Sequence, residues 1–556
     1  MSILRPLAQR EKDFNPAYQL YGMPLKSPGY HTQVPDGTWV HQTRENLEHA
    51  HDLLTWGEPQ ATERAKAIIE KILSLQDQNP LSATYGIWSW LYEEPLDKMS
   101  PPDWNWADFL GLKLCEILFD YTDKLSETLV GEIKSSLRHA AHSIFRRNVH
   151  AGYTNIAVKG GCVSAIAGEM LNESWLVDYG QLRLQSVVEH FNYHGGFNEY
   201  NSPTYSQVVL KICETGLRIV QNEKALQALS QIYRFEWESL SAHYHPATKQ
   251  LCGPQSRTYS DFLAPQFQQF LGVRTGIIAK GHEDIHAISC PADFLERFSK
   301  LPQNELETKL QHIKREAANP STGTVWLSGD VCLGSISQDT TWDQRRPILG
   351  YWLGENAQPV ALKARLVRNG RSFASGFVWN AQSGSNLLSV FNFITDAGDF
   401  HPHFGKPVEG NFGPSDIRLY YELHGDGVQA SELEDGIFEL RSGAWRAVIH
   451  TCISRFQGRE VKWQVRNEDK LAMVEALLNS EKEEFNVLSA VEIELAVGLE
   501  IMAVSQAPNH HPLKLAANQD SATLQTQWQL DDSSLMLSTP TQPLAEAKAH
   551  EFGSSS

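Results

Sequence analysis

Cysteine is scarce in this 556-residue chain: there are seven, at 115, 162, 213, 252, 290, 332 and 452. No two form a Cys-x-x-Cys pair, which excludes zinc ribbons and thioredoxin-like chemistry, and an odd, scattered set is what a reducing compartment tolerates. Positive charge is also short, with 48 Lys and Arg against 66 Asp and Glu, a net charge of −18 and a sequence pI of 5.6. The chain therefore lacks the basic footprint that nucleic acid or an anionic membrane requires, although a single cleft can still be locally basic. No apolar run approaches a membrane span, and Met1-Ser-Ile-Leu-Arg-Pro6 lacks the apolar centre of a secretory leader. A cytoplasmic location is expected, or a secreted or periplasmic one if a leader was removed. No solenoid-type repeat is visible, no cofactor or metal is expected, and Glu551-Phe-Gly-Ser-Ser-Ser556 reads as an appended tail.

Aromatic residues are plentiful, at 10% of the chain with 15 Trp, beside 41% apolar and 21% charged residues. That is a globular composition, and the length suggests two or three domains. Residues 43 to 75 place Leu47, Ala50 and Leu54, then Ala65, Ile68, Ile69 and Ile72, at helical spacing, with Gly57-Glu-Pro59 splitting the run. Segments 106–119, 127–147, 153–171, 175–192, 204–221 and 223–243 repeat the pattern. Gly160 and Gly161 each cost a helix roughly 1 kcal/mol relative to Ala, so they predict a close approach by another backbone. Beyond residue 315 the texture changes. Val360–Val367 and residues 445–453 alternate loosely with period two, and Gly-containing turns recur at Arg368–Arg371 and His424–Gly427. A helical toroid or bundle over 1–315 and an antiparallel β-sandwich over 316–550 are expected.

The densest polar cluster is His194-Gly-Gly-Phe-Asn-Glu-Tyr-Asn-Ser-Pro-Thr-Tyr205, between two helical segments. His194, Glu199, Tyr200, Asn201 and Tyr205 supply a base, an acid and amide donors together, whereas a plain interhelix turn needs only Ser202-Pro203 to start the next helix. Asn155 stands at the first turn of an apolar helix, as a cap in competition with Thr154 or as an amide donor. Arg257 lies in a turn, either solvated or facing a ligand. His243 and His245 precede it with metal-like alternation but without a third ligand. Trp88, Trp90 and Trp106 are either core or an aromatic platform for sugar rings. In the second half, the long loop 395–416, with His401 and His403, and Trp342-Asp-Gln-Arg-Arg346, with Gln344, are expected to close over the helical cleft or to pack between domains.

Taken in order, the Trp-x-Trp segments, the helix-start Asn, the Gly-Gly-x-x-Glu-Tyr-Asn-x-x-x-Tyr turn and the β-rich half resemble the heparinase II/III-like and alginate-lyase-like polysaccharide lyases. The resemblance implies an N-terminal (α/α) toroid, complete or incomplete, followed by an antiparallel β-sandwich. It implies β-elimination on a uronic-acid-containing polysaccharide such as glucuronan or alginate. Asn155 then matches the residue that neutralises the uronate carboxylate, Tyr205 the catalytic Tyr, His194 its acid–base partner and Arg257 a helper, with Glu199 and Tyr200 alongside. Trp88, Trp90, Trp106, Asn201, His243, Gln344, His401 and His403 would contact the acidic polymer. Asn155 is followed by Ile156, not by the His of some alginate lyases.

The chemistry explains these residue types. Donors aimed at the carboxylate stabilise the enolate-like charge that develops as the C5 proton leaves, by roughly a few kcal/mol each. A Tyr takes that proton only where positive charge counters its ordinary pKa of about 10. Two rival readings use the same residues differently. A glycoside hydrolase would pair Glu199 with Glu93 or Asp103. A non-catalytic polysaccharide-binding protein would keep the aromatics alone.

Overall fold

A computed structural model describes residues 11–27, 30–281, 284–301, 305–400, 405–451, 454–508, 522–531 and 533–554, and the backbone alone at 513–518. The expected contacts His401 and His403 lie outside the described residues. The chain divides into two compact units, one of Met1–His190, Val208–Glu236 and Ala279–Ile288, the other of Phe191–Gln207, Trp237–Ile278 and Ser289–Ser556.

Helices come first along the chain: α1 (Thr43–Trp56), α2 (Pro59–Leu73), α3 (Trp106–Tyr121), α4 (Glu127–Arg147), α5 (Thr154–Leu171), α6 (Ser174–His194), α7 (Pro203–Ile219) and α8 (Glu223–His243). Gly57 ends α1 with φ at 75° and donates its N–H to Leu53, and Pro59 opens α2, where its missing N–H costs nothing. Leu47, Ala50, Leu53 and Leu54 of α1 and Ala65, Ile68, Ile69 and Ile72 of α2 are buried, each large side chain contributing roughly 1.5–3 kcal/mol. Helix α5 is buried around its whole circumference from Thr154 to Gly168. A Cβ on Gly160 would stand 2.7 Å from Asp108 Oδ1 and one on Gly161 2.9 Å from Leu184 Cγ, so at these two positions neighbouring side chains, not the expected second backbone, take the space.

The strands that build the two large sheets of the second unit are β1 (Leu306–Ile313), β2 (Ser321–Ser328), β3 (Val331–Ser337), β4 (Ile348–Leu353), β5 (Pro359–Arg368), β6 (Gly376–Ser383), β7 (Asn386–Phe393), β8 (Ile417–His424), β9 (Gln429–Glu434), β10 (Ile437–Ser442), β11 (Trp445–His450), β12 (Trp463–Glu468), β13 (Leu471–Asn479) and β14 (Glu494–Ala503), while Leu513–Asn518, Thr523–Gln529 and Ser534–Pro540 form a smaller third sheet. They form two antiparallel sheets, ordered β12-β13-β8-β5-β4-β3-β2-β1 and β6-β7-β14-β11-β10-β9. Trp352, Leu362, Tyr421, Phe391, Phe393 and Phe438 pack in the core shared by the two sheets. The helical half followed by antiparallel β-sheets is the expected fold class.

Strand β5 is more continuously buried than its loose alternation implies. Val360, Leu362, Ala364 and Leu366 enter the inter-sheet core. On the other face, Ala361 joins Cys252, Cys332, Leu349 and Tyr351, with Phe262 against them. The segment following α8 therefore lies across the outer face of the first sheet, and this layering brings distant polar residues together. Near the end of the chain Ser538 and Gly553 exchange two backbone hydrogen bonds of 2.9 Å, and Phe552 packs on the Phe377–Trp379 cluster.

Candidate active site

Three segments knit together in the second unit. Asn201, held at φ 42°, donates its amide to the carbonyls of Cys252 and Pro254, both at 2.7 Å. Ser202 Oγ donates to the Arg257 carbonyl at 2.6 Å and accepts the Tyr205 N–H at 3.2 Å, capping α7 as Ser202-Pro203 predicts. Gln255 and Arg346 exchange backbone hydrogen bonds, and the Thr258 N–H reaches the Gln344 carbonyl at 2.9 Å. Asp261 anchors the far end, with Lys363 Nζ at 2.6 Å and Arg346 Nε at 3.5 Å. Residues 342–346 are thus tied to 255–258, and the turn at 200–205 is tied to the same strip.

At the surface of this knot the phenol oxygens of Tyr205 and Tyr259 are 2.9 Å apart. Tyr205 is half-buried, whereas Tyr259 is 57% exposed. The Arg257 guanidinium lies 3.6 Å from the centre of the Trp342 ring, and Trp342 Nε1 donates to Gln344 Oε1 at 3.3 Å. Burial first, then the neighbouring Tyr259 and Glu199, hold the Tyr205 phenol far above its ordinary pKa, against the pull of Arg257. Burial also pushes the Asp343 carboxyl up to about 6, opposed by Arg257 and Arg345. A neutral phenol, an ionisable acid and a cation stacked on indole therefore share one accessible patch, which suits proton transfer beside a bound anion.

Tyr200, Asn201 and His243, expected at the site, make internal hydrogen bonds. Tyr200 is 2% exposed, donates to Asp339 Oδ2 at 2.8 Å and stacks on His312 with ring centres 4.0 Å apart. It faces the interior because its hydroxyl satisfies a buried carboxyl. Asn201 spends its amide on the two carbonyls above. His243 is fully buried, donates from Nδ1 to the Ser239 carbonyl at 2.8 Å, and is pushed down to about 4 by desolvation. His245 is likewise committed, to Thr248 Oγ1 at 2.8 Å and the Gly329 carbonyl at 3.1 Å. Among the described residues no group of three or more His, Cys, Asp or Glu is placed to hold a metal ion. His194 ends α6, where its Nδ1 accepts the Lys314 N–H at 3.2 Å and its carbonyl accepts from Gln311 at 2.8 Å. Glu199 is buried next to Tyr205.

The remaining expectations fall in the first unit. Trp88 is 0% exposed and donates to the Ile72 carbonyl at 2.9 Å, so no face is left for a sugar. Trp90 and Trp106 are half-buried and stack with centres 5.0 Å apart, anchored by Asp103 and by Thr43. Asn155 is buried in the first turn of α5, and the cap position itself belongs to Tyr153. Of the two carboxylates considered as partners for Glu199, Glu93 Oε1 lies 2.5 Å from His41 Nδ1, and Asp103 accepts from Trp90 and the Asn105 N–H.

Residues 25–285 match a family described as a domain of unknown function (DUF8769). No curated protein matches the sequence. Among solved structures the chain is similar to heparinase III, at 10% identity over 90% of this chain and 82% of that one, with a TM-score of 0.43. It is also similar to the Streptomyces coelicolor A3 chondroitin AC lyase in complex with chondroitin sulphate, at 11% identity over 96% and 83% of the two chains and a TM-score of 0.45. A chondroitinase AC lyase is matched at 10% identity over 97% and 89%, with a TM-score of 0.37.

Tyr259 and Asp343 lie in segments whose neighbours Arg257 and Gln344 stand out in the sequence, but Tyr259 itself sits in a run of bends with no periodic pattern to mark it. Asp343 carries no such pattern either.

Proposed function

We propose that this protein is a polysaccharide lyase that cleaves a uronic-acid-containing polysaccharide by β-elimination. The observation that carries the reading is the Tyr205–Tyr259 hydroxyl pair at 2.9 Å, beside Arg257 on its indole platform. A phenol held protonated by burial is a poor stored base, but it can exchange protons in a single event. The Tyr205 oxygen accepts the C5 proton while its own proton passes to the glycosidic oxygen, directly or through Tyr259. The C4–O bond breaks, a C4=C5 double bond forms, and the phenol ends as it began. Arg257 faces the carboxylate and stabilises the enolate-like charge, by roughly a few kcal/mol. His194 retains the role of acid–base partner that the resemblance implies.

One observation favours a second reading. Asp343, with its carboxyl near 6, can serve as a general acid, and a hydrolase would pair it with Glu199. Incubation with a panel of uronate polymers separates the two. Elimination raises ultraviolet absorbance as the unsaturated product forms, whereas hydrolysis releases reducing ends without that rise.

A further inference from the structure

The first unit contains a second polar cluster that the Tyr205 site does not use. Lys159 Nζ lies 3.2 Å from the centre of the Phe109 ring, and the Arg44 guanidinium carbon lies 4.3 Å from the same centre. Arg44 has a carboxylate partner, Glu48 at 3.0 Å. Lys159 differs. It is only 5% exposed, yet among the described residues its amine has no hydrogen bond and no ion pair, only the ring. Arg44 and Glu48 from α1, and Asp108 and Glu116 from α3, act on it at longer range. A mostly buried amine held only over a ring is poorly compensated, and an arriving anion would supply the missing partner.

The surroundings indicate the ligand. Asn155 precedes Lys159 by one helical turn, so both side chains leave the same face of α5. Trp106 meets Phe109 edge-on at 5.7 Å and continues into the Trp90 stack. Two basic side chains beside an indole wall match a sugar ring that carries an acidic group.

We propose that Lys159 and Arg44, over the Phe109 ring and beside Trp106, bind the carboxylate of a uronate sugar unit. The choice of a uronate over another oxyanion rests on the lyase reading, and the anion site itself does not. Burial and repulsion from Arg44 hold the Lys159 amine well below the ordinary lysine pKa, so an arriving carboxylate draws a proton onto it. Asp108 is the competing source of a proton change, since burial pushes it up to about 7 against Arg147, Arg183 and Lys159.

Calorimetric titration of the full chain with glucuronate, in two buffers of different ionisation enthalpy, tests the site. Glucuronate should bind with proton uptake, and both glucose and inorganic sulfate should bind roughly tenfold or more weaker. Lys159→Met should weaken glucuronate by a similar factor. Lys159→Arg should keep the binding but abolish the uptake, because guanidinium is always charged; it also keeps the test open if Lys159→Met fails to fold. Unchanged affinity in a folded Lys159→Met, uptake that persists in Lys159→Arg, or equal binding of glucose or sulfate overturns the assignment. Polymer elimination with an unaltered KM in Lys159→Met would remove this site and leave the lyase. Glucuronate binding lost in Lys159→Met, with no polymer eliminated by the unaltered protein, would do the reverse.

Discussion

The hydroxyls of Tyr205 and Tyr259 share a 2.9 Å hydrogen bond across 54 residues of chain. One phenol is sheltered by the fold and the other reaches solvent, so a proton leaving the first has an exit. Removing the Tyr259 hydroxyl by Tyr259→Phe should lower turnover by about tenfold to a hundredfold, less than the loss expected at Tyr205 itself. Steady-state kinetics on a uronate polymer measure the difference, and equal losses would show that the two act as one group.

Arg257 combines a stacked plane with a charge. Arg257→Ala should reduce turnover by roughly 10²–10³, the scale seen when one donor to a developing charge is lost. Arg257→Lys should recover little, because an ammonium neither stacks on Trp342 nor presents a planar fork. Full recovery by Lys would show that charge alone matters there.

Two buried histidines set an acid limit on stability. Desolvation lowers His243 to about 4 and His312 to about 3, below the ordinary histidine value of about 6.5. The unfolded chain therefore binds protons that the folded one refuses. Their contribution is complete above the ordinary value and is lost as pH falls toward 4, by an amount on the order of a few kcal/mol. Thermal unfolding between pH 7.5 and 4.5 should show this slope. His312→Phe keeps a ring against Tyr200 and should flatten it.

The aromatic assignments separate by burial. Trp88→Ala should destabilise the protein by about 3–5 kcal/mol through the cavity it leaves, without changing the polymer affinity of folded molecules. Trp106→Ala should weaken polymer binding instead. Tyr200→Phe should cost about 1–3 kcal/mol by stranding Asp339 while leaving turnover intact. Melting curves and binding isotherms on the same samples distinguish these outcomes.

Helix periodicity made the helical half legible. Gly57 and Pro59 divide α1 from α2 where the pattern breaks, and Gly160 and Gly161 mark the tight crossing at Asp108 and Leu184. Local pattern could not say which polar residues face inward. Tyr200 and Tyr205 stand five residues apart in one turn, yet one is consumed by Asp339, 139 residues away, and the other is left at the surface. Trp88 and Trp90 differ in the same manner, since a two-residue step decides whether an indole meets the Ile72 carbonyl or the Trp106 ring. Tyr259 was invisible as a partner because its contact is made by the outer face of the β-sheet carrying the 252–261 strip, a tertiary arrangement with no local signature.

In the proposed elimination it is Tyr205 that transfers the proton. Tyr205→Phe removes one oxygen and one exposed-side hydrogen bond, a stability cost of about 1 kcal/mol, so the fold should persist. The measurement is the initial rate of unsaturated product formation from a uronate polymer, followed by ultraviolet absorbance, for the unaltered protein and for Tyr205→Phe. The account predicts a measurable rate for the first and a fall of roughly 10²–10⁴ for the second, at nearly unchanged polymer affinity. Near-native elimination by Tyr205→Phe, or reducing ends released without any unsaturated product, would contradict it.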